Sequence, residues 1–332
     1  MTSKPSNSPL PIWGRGPSPQ AGVRAVVALW VALIRPASWR RRLLPNWGEG
    51  SAVTISNILK LITKNLSDFS DAPHLDAERI ILHVLNQRDP SYVLAHADTQ
   101  LTAEQISEIH HMAEQRKTGM PLAYIIGEAD FYGRTFIVTP DVLIPRPDTE
   151  LLIDKALEYI QKNLADKQEI VIADIGTGSG CIAITLALEL STQLSVVSCK
   201  LLATDISPAA LAIAKQNAEK HGVSDRIEFL QGDMLEPFDF AQGKPYKIDL
   251  IVSNPPYVPT QELIDLAAAF PPPPRHQAGL PLIQGGEIRR GLIFEPRSAL
   301  DGGPDGLDFV RQIQASKIPS IIETIGGKII ER

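Results

Sequence analysis

Cysteine is nearly absent: the chain has two in 332 residues. Cys181 falls in an apolar helical stretch and Cys199 just before a strand. That usage excludes a disulfide framework and a cysteine metal cluster, and it fits a reducing compartment. The seven histidines are scattered, and even His110-His111 has no carboxylates or cysteines around it at ligand spacing, so no metal is expected. Long apolar runs are missing too. The stretch Ala25 to Ile34 is too short to span a bilayer, so no membrane insertion is expected. Basic charge is scarce over most of the chain. Net charge is −6, yet residues 1–50 hold Lys4, Arg15, Arg24, Arg35, Arg40, Arg41 and Arg42 against the single acid Glu49. The remainder is therefore more acidic than the whole. Nucleic-acid affinity rests on Lys and Arg neutralising phosphates, so stable nucleic-acid binding is not expected, although a local basic groove is not excluded.

The first 51 residues stand apart from the rest. All four tryptophans lie there, with several prolines and almost no acid. Such a composition suits an organellar transit peptide; a secretory signal is less apt because most of the positive charge follows the apolar stretch. The favoured reading is an extension, disordered and without a folded role, on a cytoplasmic protein. A mitochondrial or plastid location is the alternative.

Length suggests two domains, and 44% hydrophobic residues are ample for a core. Residues 52–118 read as a small helical domain. Ile55, Leu59, Ile62 and Leu66 repeat at helical spacing, as do Ile81, Val84 and Leu85 after a cap at Asp71. Thr102 to Gln105 forms a capping-box pattern before Ile106, Ile109 and Met112, and Gly119 stops that helix. Residues 119–150 read as a linker carrying a hairpin around Phe131, Phe136 and Val138.

From residue 151 to 332 the pattern becomes α/β. Val171 to Asp174 reads as a buried strand, Ile175 to Gly180 as a tight turn, and Cys181 to Leu188 as the following helix. Glycine permits positive φ and close approach of a ligand, but a lone glycine-rich turn also begins dinucleotide sites. A second strand ends at Asp205, whose carboxylate can accept from ribose hydroxyls. Ser207-Pro208 starts the next helix and Gly222 ends it. A third strand leads to Asp233 and Met234, where a carboxylate can accept from an adenine amino group. A fourth leads to Asn254-Pro255-Pro256-Tyr257. These strand ends share one rim, where open α/β sheets bind ligands. The candidate cofactor residues are Gly176, Thr177, Gly178, Ser179, Gly180, Asp205, Asp233, Met234 and Asn254.

The candidate catalytic residues are Asn254, Pro255, Pro256 and Tyr257. Two consecutive prolines remove two N–H donors, so their loop offers carbonyl acceptors without competing donors. The Asn254 side chain adds an acceptor and Tyr257 a flat face. A substrate NH2 group held there donates its hydrogens sideways and aims its lone pair at an electrophile.

The order and spacing of these segments resemble an S-adenosylmethionine-dependent methyltransferase, and Asn-Pro-Pro-Tyr is similar to the motif of enzymes that methylate exocyclic or amide NH2 groups. Further segments resemble the release-factor glutamine methyltransferases of PrmC/HemK type. They are Gly119 to Gly127, Phe131-Tyr132-Gly133, Val142 to Glu150, Glu295-Pro296-Arg297 and Ala299 to Leu307. The likeness runs from about Thr54 to Asp265 and resumes near Phe294. It implies a Rossmann-like class I methyltransferase sheet with a small N-terminal helical domain, S-adenosylmethionine as cofactor, and a release factor as protein substrate, methylated by a monomeric enzyme at the glutamine of its Gly-Gly-Gln motif. The rival activities are methylation of an adenine or other exocyclic amine of nucleic acid, and binding without catalysis. Two departures accompany the likeness. Residues 267–290 include four consecutive prolines where the family is less proline-rich, and the segment from Gly326 reads as a fifth strand with two more implied beyond it, so a truncated sheet is expected.

Overall fold

The computed structural model describes residues 53–193, 198–238, 246–269, 291–324 and 326–332. The extension 1–51 and all but the first three residues of 267–290 lie outside them. No helix among the described residues is long and apolar enough to cross a membrane.

Four helices come first: α1 (Ile55–Leu66), α2 (Pro73–Val84), α3 (Ser91–Ala95) and α4 (Ala103–Lys117). α1 buries Ile55, Ile58, Ile62 and Leu66. Ile58 therefore takes the inward place expected of Leu59, which is half-buried, because the stripe advances by three residues at that turn. α2 has Ala72, not Asp71, at its N-cap, and the Ala72 N–H donates to the Ser70 hydroxyl at 3.0 Å. Its buried face holds Ala77, Ile80 and Ile81, while Val84 and Leu85 are half-buried near its end. α4 carries the expected capping box: Gln105 N–H donates to Thr102 Oγ1 at 3.2 Å, and Thr102 N–H to Gln105 Oε1 at 2.9 Å. Between α2 and α4 a buried ion pair joins Arg116 Nε to Asp76 Oδ2 at 2.8 Å.

A short α5 (Leu122–Ile126) leads into the hairpin β1 (Glu128–Phe131) and β2 (Arg134–Ile137). Its turn residues Tyr132 and Gly133 both have positive φ, 50° and 69°, as a type I′ turn requires. Glu150 and Asp154, on the next helix, hold that turn: Tyr132 N–H donates to Glu150 Oε1 and the Tyr132 hydroxyl to Asp154 Oδ1, both at 2.8 Å.

The remainder alternates α6 (Thr149–Asn163), β3 (Ile170–Ile175), α7 (Cys181–Gln193), β4 (Cys199–Asp205), α8 (Pro208–His221), β5 (Ile227–Gln231), β6 (Leu250–Ser253), α9 (Thr260–Ala269), α10 (Asp308–Ala315), β7 (Ser320–Thr324) and β8 (Lys328–Glu331). The sheet order is β5-β4-β3-β6-β7-β8, parallel except for β8. One face packs Leu152, Ile153 and Ile160 of α6 and Ile182 and Leu186 of α7 against Ile170, Ile172 and Leu201. The other packs Val310 and Ile313 of α10 against Ala173, Leu202, Ile251 and Ile322. Both faces are covered, as a parallel sheet requires.

The fifth strand is β7, not the segment from Gly326. Ile321 and Ile322 are fully buried, whereas Ile329 and Ile330 are only partly so. Gly326 and Gly327, at φ 75° and 69°, reverse the chain, so the last segment returns antiparallel as β8. Periodicity alone does not separate two short isoleucine runs around a Gly-Gly turn.

Asn217 of α8 joins the hairpin to the sheet and is fully buried. Its Oδ1 accepts from Ile137 N–H at 2.7 Å, and its Nδ2 donates to the carbonyls of Ile137 at 3.0 Å and Ser179 at 2.8 Å. Asn217→Ala leaves the buried Ser179 carbonyl and the half-buried Ile137 N–H and carbonyl without these partners, at about 1–3 kcal/mol for an unsatisfied buried group. Urea melts should show a loss above about 2 kcal/mol, against about 0–1 kcal/mol for cutting an exposed pair such as Arg79–Asp130.

Candidate active site

The strand order reverses between β3 and β6, which lie side by side with Asp174 opposite Val252. The loops that leave these two strands therefore face each other across one crevice. Leaving β3, the chain turns through Gly176, Gly178 and Gly180 at φ 70°, 54° and 81°. A Cβ on Gly180 would meet Ile184 Cδ1 at 3.0 Å and Ala214 Cβ at 3.1 Å, so this glycine lets α7 and α8 approach. A Cβ on Gly176 or Gly178 would meet nothing within 4 Å. Those two serve the backbone path and leave open space above the turn.

The other turn residues hold its shape. Thr177 N–H donates to Thr204 O at 2.8 Å, and buried Ser179 offers its carbonyl to Asn217. Asp205 clamps the turn from β4: Oδ2 accepts from Gly178 N–H and Oδ1 from Ser207 N–H, both at 2.9 Å. Burial pushes its pKa up, and these N–H bonds pull it back. Each carboxylate oxygen has a lone pair left for a ligand hydroxyl. Gly232 N–H donates to Asp205 O at 3.2 Å, which ties the end of β5 to the same rim. Asp233 is exposed there, and Met234 has φ 49°.

Sequence reasoning placed Asp174 at a strand end without giving it a task. It is fully buried under the turn, with Oδ2 accepting from Thr177 Oγ1 at 2.6 Å and Ala183 N–H at 3.2 Å. Oδ1 has no hydrogen-bond partner among the described residues. Burial pushes the carboxyl up to about 7, with a smaller upward push from Asp205. The signal available in the sequence was an acid inside an otherwise apolar strand, a costly placement unless something compensates it.

Across the crevice, Ser253 Oγ donates to Ile175 O at 2.8 Å and pins the end of β6 to the end of β3. Asn254 follows. Its Nδ2 donates to Thr149 Oγ1 at 2.9 Å, while its buried Oδ1 has no partner among the described residues. Pro255 is buried, and Pro256 and Tyr257 are half-buried. Burial is the main cause that raises the Tyr257 pKa, so its phenol stays neutral. The segment Leu300 to Gly306 braces this loop from outside. Val258 N–H donates to Leu300 O, Gly302 N–H to Val258 O and Thr260 N–H to Gly303 O, each at 2.9 Å. A Cβ on Gly302 would lie 2.7 Å from Pro256 O, and one on Gly306 2.3 Å from Tyr257 O. Both positions exclude any larger residue. Arg146 completes the wall with Nη2 on both Glu295 oxygens, at 2.6 and 2.7 Å.

An open parallel sheet with an antiparallel edge strand, a glycine turn and an acceptor-rich loop at the crossover defines a class I methyltransferase. Residues 166–275 match the family model described as a methyltransferase domain, and residues 57–127 match the PrmC N-terminal domain. The chain belongs to the release factor glutamine methyltransferase family. It is 37% identical over 276 residues to the release factor glutamine methyltransferase of Chlorobaculum tepidum, covering 81% of this chain and 83% of that one. The Bacillus subtilis enzyme of the same name is 39% identical over 247 residues, 74% of each chain.

The residues present fit the cofactor of this class, S-adenosylmethionine. The space over Gly176 and Gly178 admits a ligand against bare backbone, Asp205 keeps acceptor capacity for hydroxyls, and the unpartnered Asp174 Oδ1 suits a cationic ligand. Among the described residues no group of three or more His, Cys, Asp and Glu is placed to hold a metal ion.

Asp174 sets a pH dependence. Its pKa is raised from 3.8 to about 7, so its contribution to stability is complete below the unfolded value and is lost as pH rises through about 7. A bound cation favours the ionised carboxylate, so binding below pH 7 expels a proton. Affinity for S-adenosylmethionine should therefore rise from about pH 6 to pH 8, and Asp174→Asn should flatten the curve, as read by calorimetry in buffers of different ionisation heat.

Proposed function

We propose that this protein methylates the side-chain amide nitrogen, N5, of the glutamine in the Gly-Gly-Gln motif of peptide chain release factors, with S-adenosylmethionine as donor. The observation that carries the site assignment is the Asn254 amide: its nitrogen is engaged and its oxygen is buried with no partner among the described residues. A buried acceptor left open in a crevice is matched by a donor that arrives with the substrate.

An amide nitrogen is a poor nucleophile because its lone pair is delocalised into the carbonyl, the resonance behind a rotation barrier of about 18–20 kcal/mol. Asn254 Oδ1 and the Pro255 carbonyl accept the two amide hydrogens, and Tyr257 packs on the amide plane. Both acceptors strengthen as positive charge develops on nitrogen, which favours the transition state over the ground state. S-adenosylmethionine, when bound, would supply an electrophilic methyl group on positively charged sulfur: the amide nitrogen lone pair would form the new N–C bond and the S–C bonding pair would stay on sulfur. The methylated nitrogen then releases one proton to solvent, so no general base is needed before transfer.

Gly176 to Gly180, Asp205, Asp233 and Met234 are assigned to the cofactor. Residues 52–118 are assigned as a substrate-recognition domain, 119–150 as a hairpin linker and 151–332 as the catalytic domain. Sparse cysteine supports a reducing, cytoplasmic setting, and the acidic composition supports a protein substrate over stable nucleic-acid binding. The enzyme is read as a monomer.

Incubation with labelled S-adenosylmethionine and release factors, Gly-Gly-Gln peptides and nucleic acid, followed by mass mapping, tests the assignment. Label should appear on the glutamine; label on adenine alone overturns it. Asn254→Ala should lower kcat by about 10²- to 10³-fold with cofactor affinity changed far less. Near wild-type turnover in that variant would remove Asn254 from the mechanism.

A further inference from the structure

Three neighbouring strand ends at the crevice carry a polar side chain on the same face of the sheet. Ile172, Val252 and Ile321 pack with α6 and α7, whereas Ala173, Ile251 and Ile322 pack on the opposite side. Side chains alternate along a strand, so Asp174, Asn254 and Glu323, two residues further on, share the face of α6 and α7. The contacts agree. Ala183 N–H of α7 donates to Asp174 Oδ2 at 3.2 Å, and Asn254 Nδ2 donates to Thr149 Oγ1 of α6 at 2.9 Å. A Cβ on Gly327, just after β7, would lie 2.9 Å from Asp148 Cβ at the start of α6. Ser253 pairs with Ile322, so Asn254 and Glu323 follow side by side on adjacent strands. The order across the rim is Asp174, Asn254, Glu323.

Glu323 is 1% exposed, and its Oε2 has no hydrogen-bond partner among the described residues. A carboxylate so placed costs stability, and a neutral group of the same shape relieves that cost. Burial raises its pKa; Asp148 adds to the rise and Arg146 opposes it. Ile329, opposite it on β8, brings no charge. The field of Glu323 reaches both the loop and α7: burial chiefly, and Glu323 to a smaller extent, push up the Tyr257 phenol and the Cys181 thiol.

Methyl transfer moves a charge along this rim. As the amide nitrogen lone pair forms the N–C bond, the S–C bonding pair stays on sulfur. The unit positive charge thus passes from the cofactor side, at the glycine turn after β3, to the amide held at Asn254, and one proton then leaves the nitrogen for solvent. Asp174 lies at the end where that charge starts, and Glu323 lies beyond the end where it arrives. A negative charge there favours the transferred state over the starting one. It acts without contact, because Coulomb attraction decays only inversely with distance.

We infer that Glu323 is an unpaired buried charge, held beside Asn254, that stabilises the positive charge developing on the substrate amide, although it lowers the stability of the fold. The inference rests on the function proposed above.

Glu323→Gln keeps the shape and removes the charge. Its kcat on a release factor should fall by about 10- to 100-fold, the scale of one charge acting across one or two strand spacings, with the dissociation constant for S-adenosylmethionine within about threefold of wild type. A Gln amide can itself donate to Asn254 Oδ1, so Glu323→Met, neutral and without a donor, should show a fall of the same order. Glu323→Asp, which keeps the charge, should stay above both. If Glu323→Met does not fold, Gln against Asp makes the comparison. Thermal melts need no turnover. A folded-state pKa raised above the unfolded value gives stability that is complete at low pH and lost as pH rises. Glu323→Gln should therefore melt at or above wild type, and by more at about pH 8 than at about pH 5. Wild-type kcat in Glu323→Gln or Glu323→Met, a loss of cofactor affinity as large as the loss of kcat, or a melting temperature of Glu323→Gln below wild type overturns the inference. Failure of the wild-type protein to label glutamine instead overturns the proposed function, and the melts still decide whether Glu323 is an uncompensated charge.

Discussion

The parallel pairing of β3 with β6 is the constraint on which the active site depends. In this pairing Asp174 sits opposite Val252, and the Ser253 hydroxyl on the Ile175 carbonyl locks the two strand ends together. The two loops that diverge from this point face each other across the crevice. One is a glycine turn clamped by Asp205, and the other a proline loop braced by Leu300 to Gly306. A one-residue slip of β6 would invert every side chain of the strand and carry Asn254 away from Thr149. The fully buried faces of Leu250, Ile251 and Val252 resist that slip.

Three buried oxygens around the crevice lack hydrogen-bond partners among the described residues: Asp174 Oδ1, Asn254 Oδ1 and Glu323 Oε2. Each costs free energy in the folded protein, on the order of 1–3 kcal/mol for a neutral group and more for a charged one. All three are acceptors. A site furnished with unmet acceptors is complementary to donors and cations, the character of a substrate amide and of a sulfonium or ammonium. The fold therefore carries a local cost whose sign matches its ligands, as expected where function opposes stability.

Most of the sheet was legible because each strand ends in a residue that marks its end. Gly176, Asp205, Gly232 and Asn254 each follow an apolar run, and Ser207, Pro208 and Gly222 bound α8 as their chemistry predicts. The helices before residue 118 were legible as helices but not in rotation, since Ile58 and Leu59 are equally apolar and only packing selects one. β7 and β8 were confused because two Ile-Ile pairs flank a Gly-Gly turn and local pattern carries no strand direction. Within the site, the turn and the Asn-Pro-Pro-Tyr loop could be read as units, whereas Asp174, Asn217 and Thr149 could not. Asn217 and Thr149 act through long-range hydrogen bonds, and no short window of sequence contains both partners; Asp174 bonds to Thr177 and Ala183 close by, but its complete burial under the turn is set by the packing of the whole sheet.

The clasp between Arg146 and Glu295 closes 149 residues of chain, and the bond between Asn254 and Thr149 closes 105. Contacts of such separation form late, because the entropy of closing a long loop must be met before the contact returns anything. The glycine turn and its Asp205 clamp are only 27 residues apart and need no such closure. As the chain emerges from the ribosome, Gly178 and Asp205 are both made well before Glu295. The order of synthesis thus separates the two walls of the crevice in time: the clamped turn can take shape while the partner of Arg146 does not yet exist.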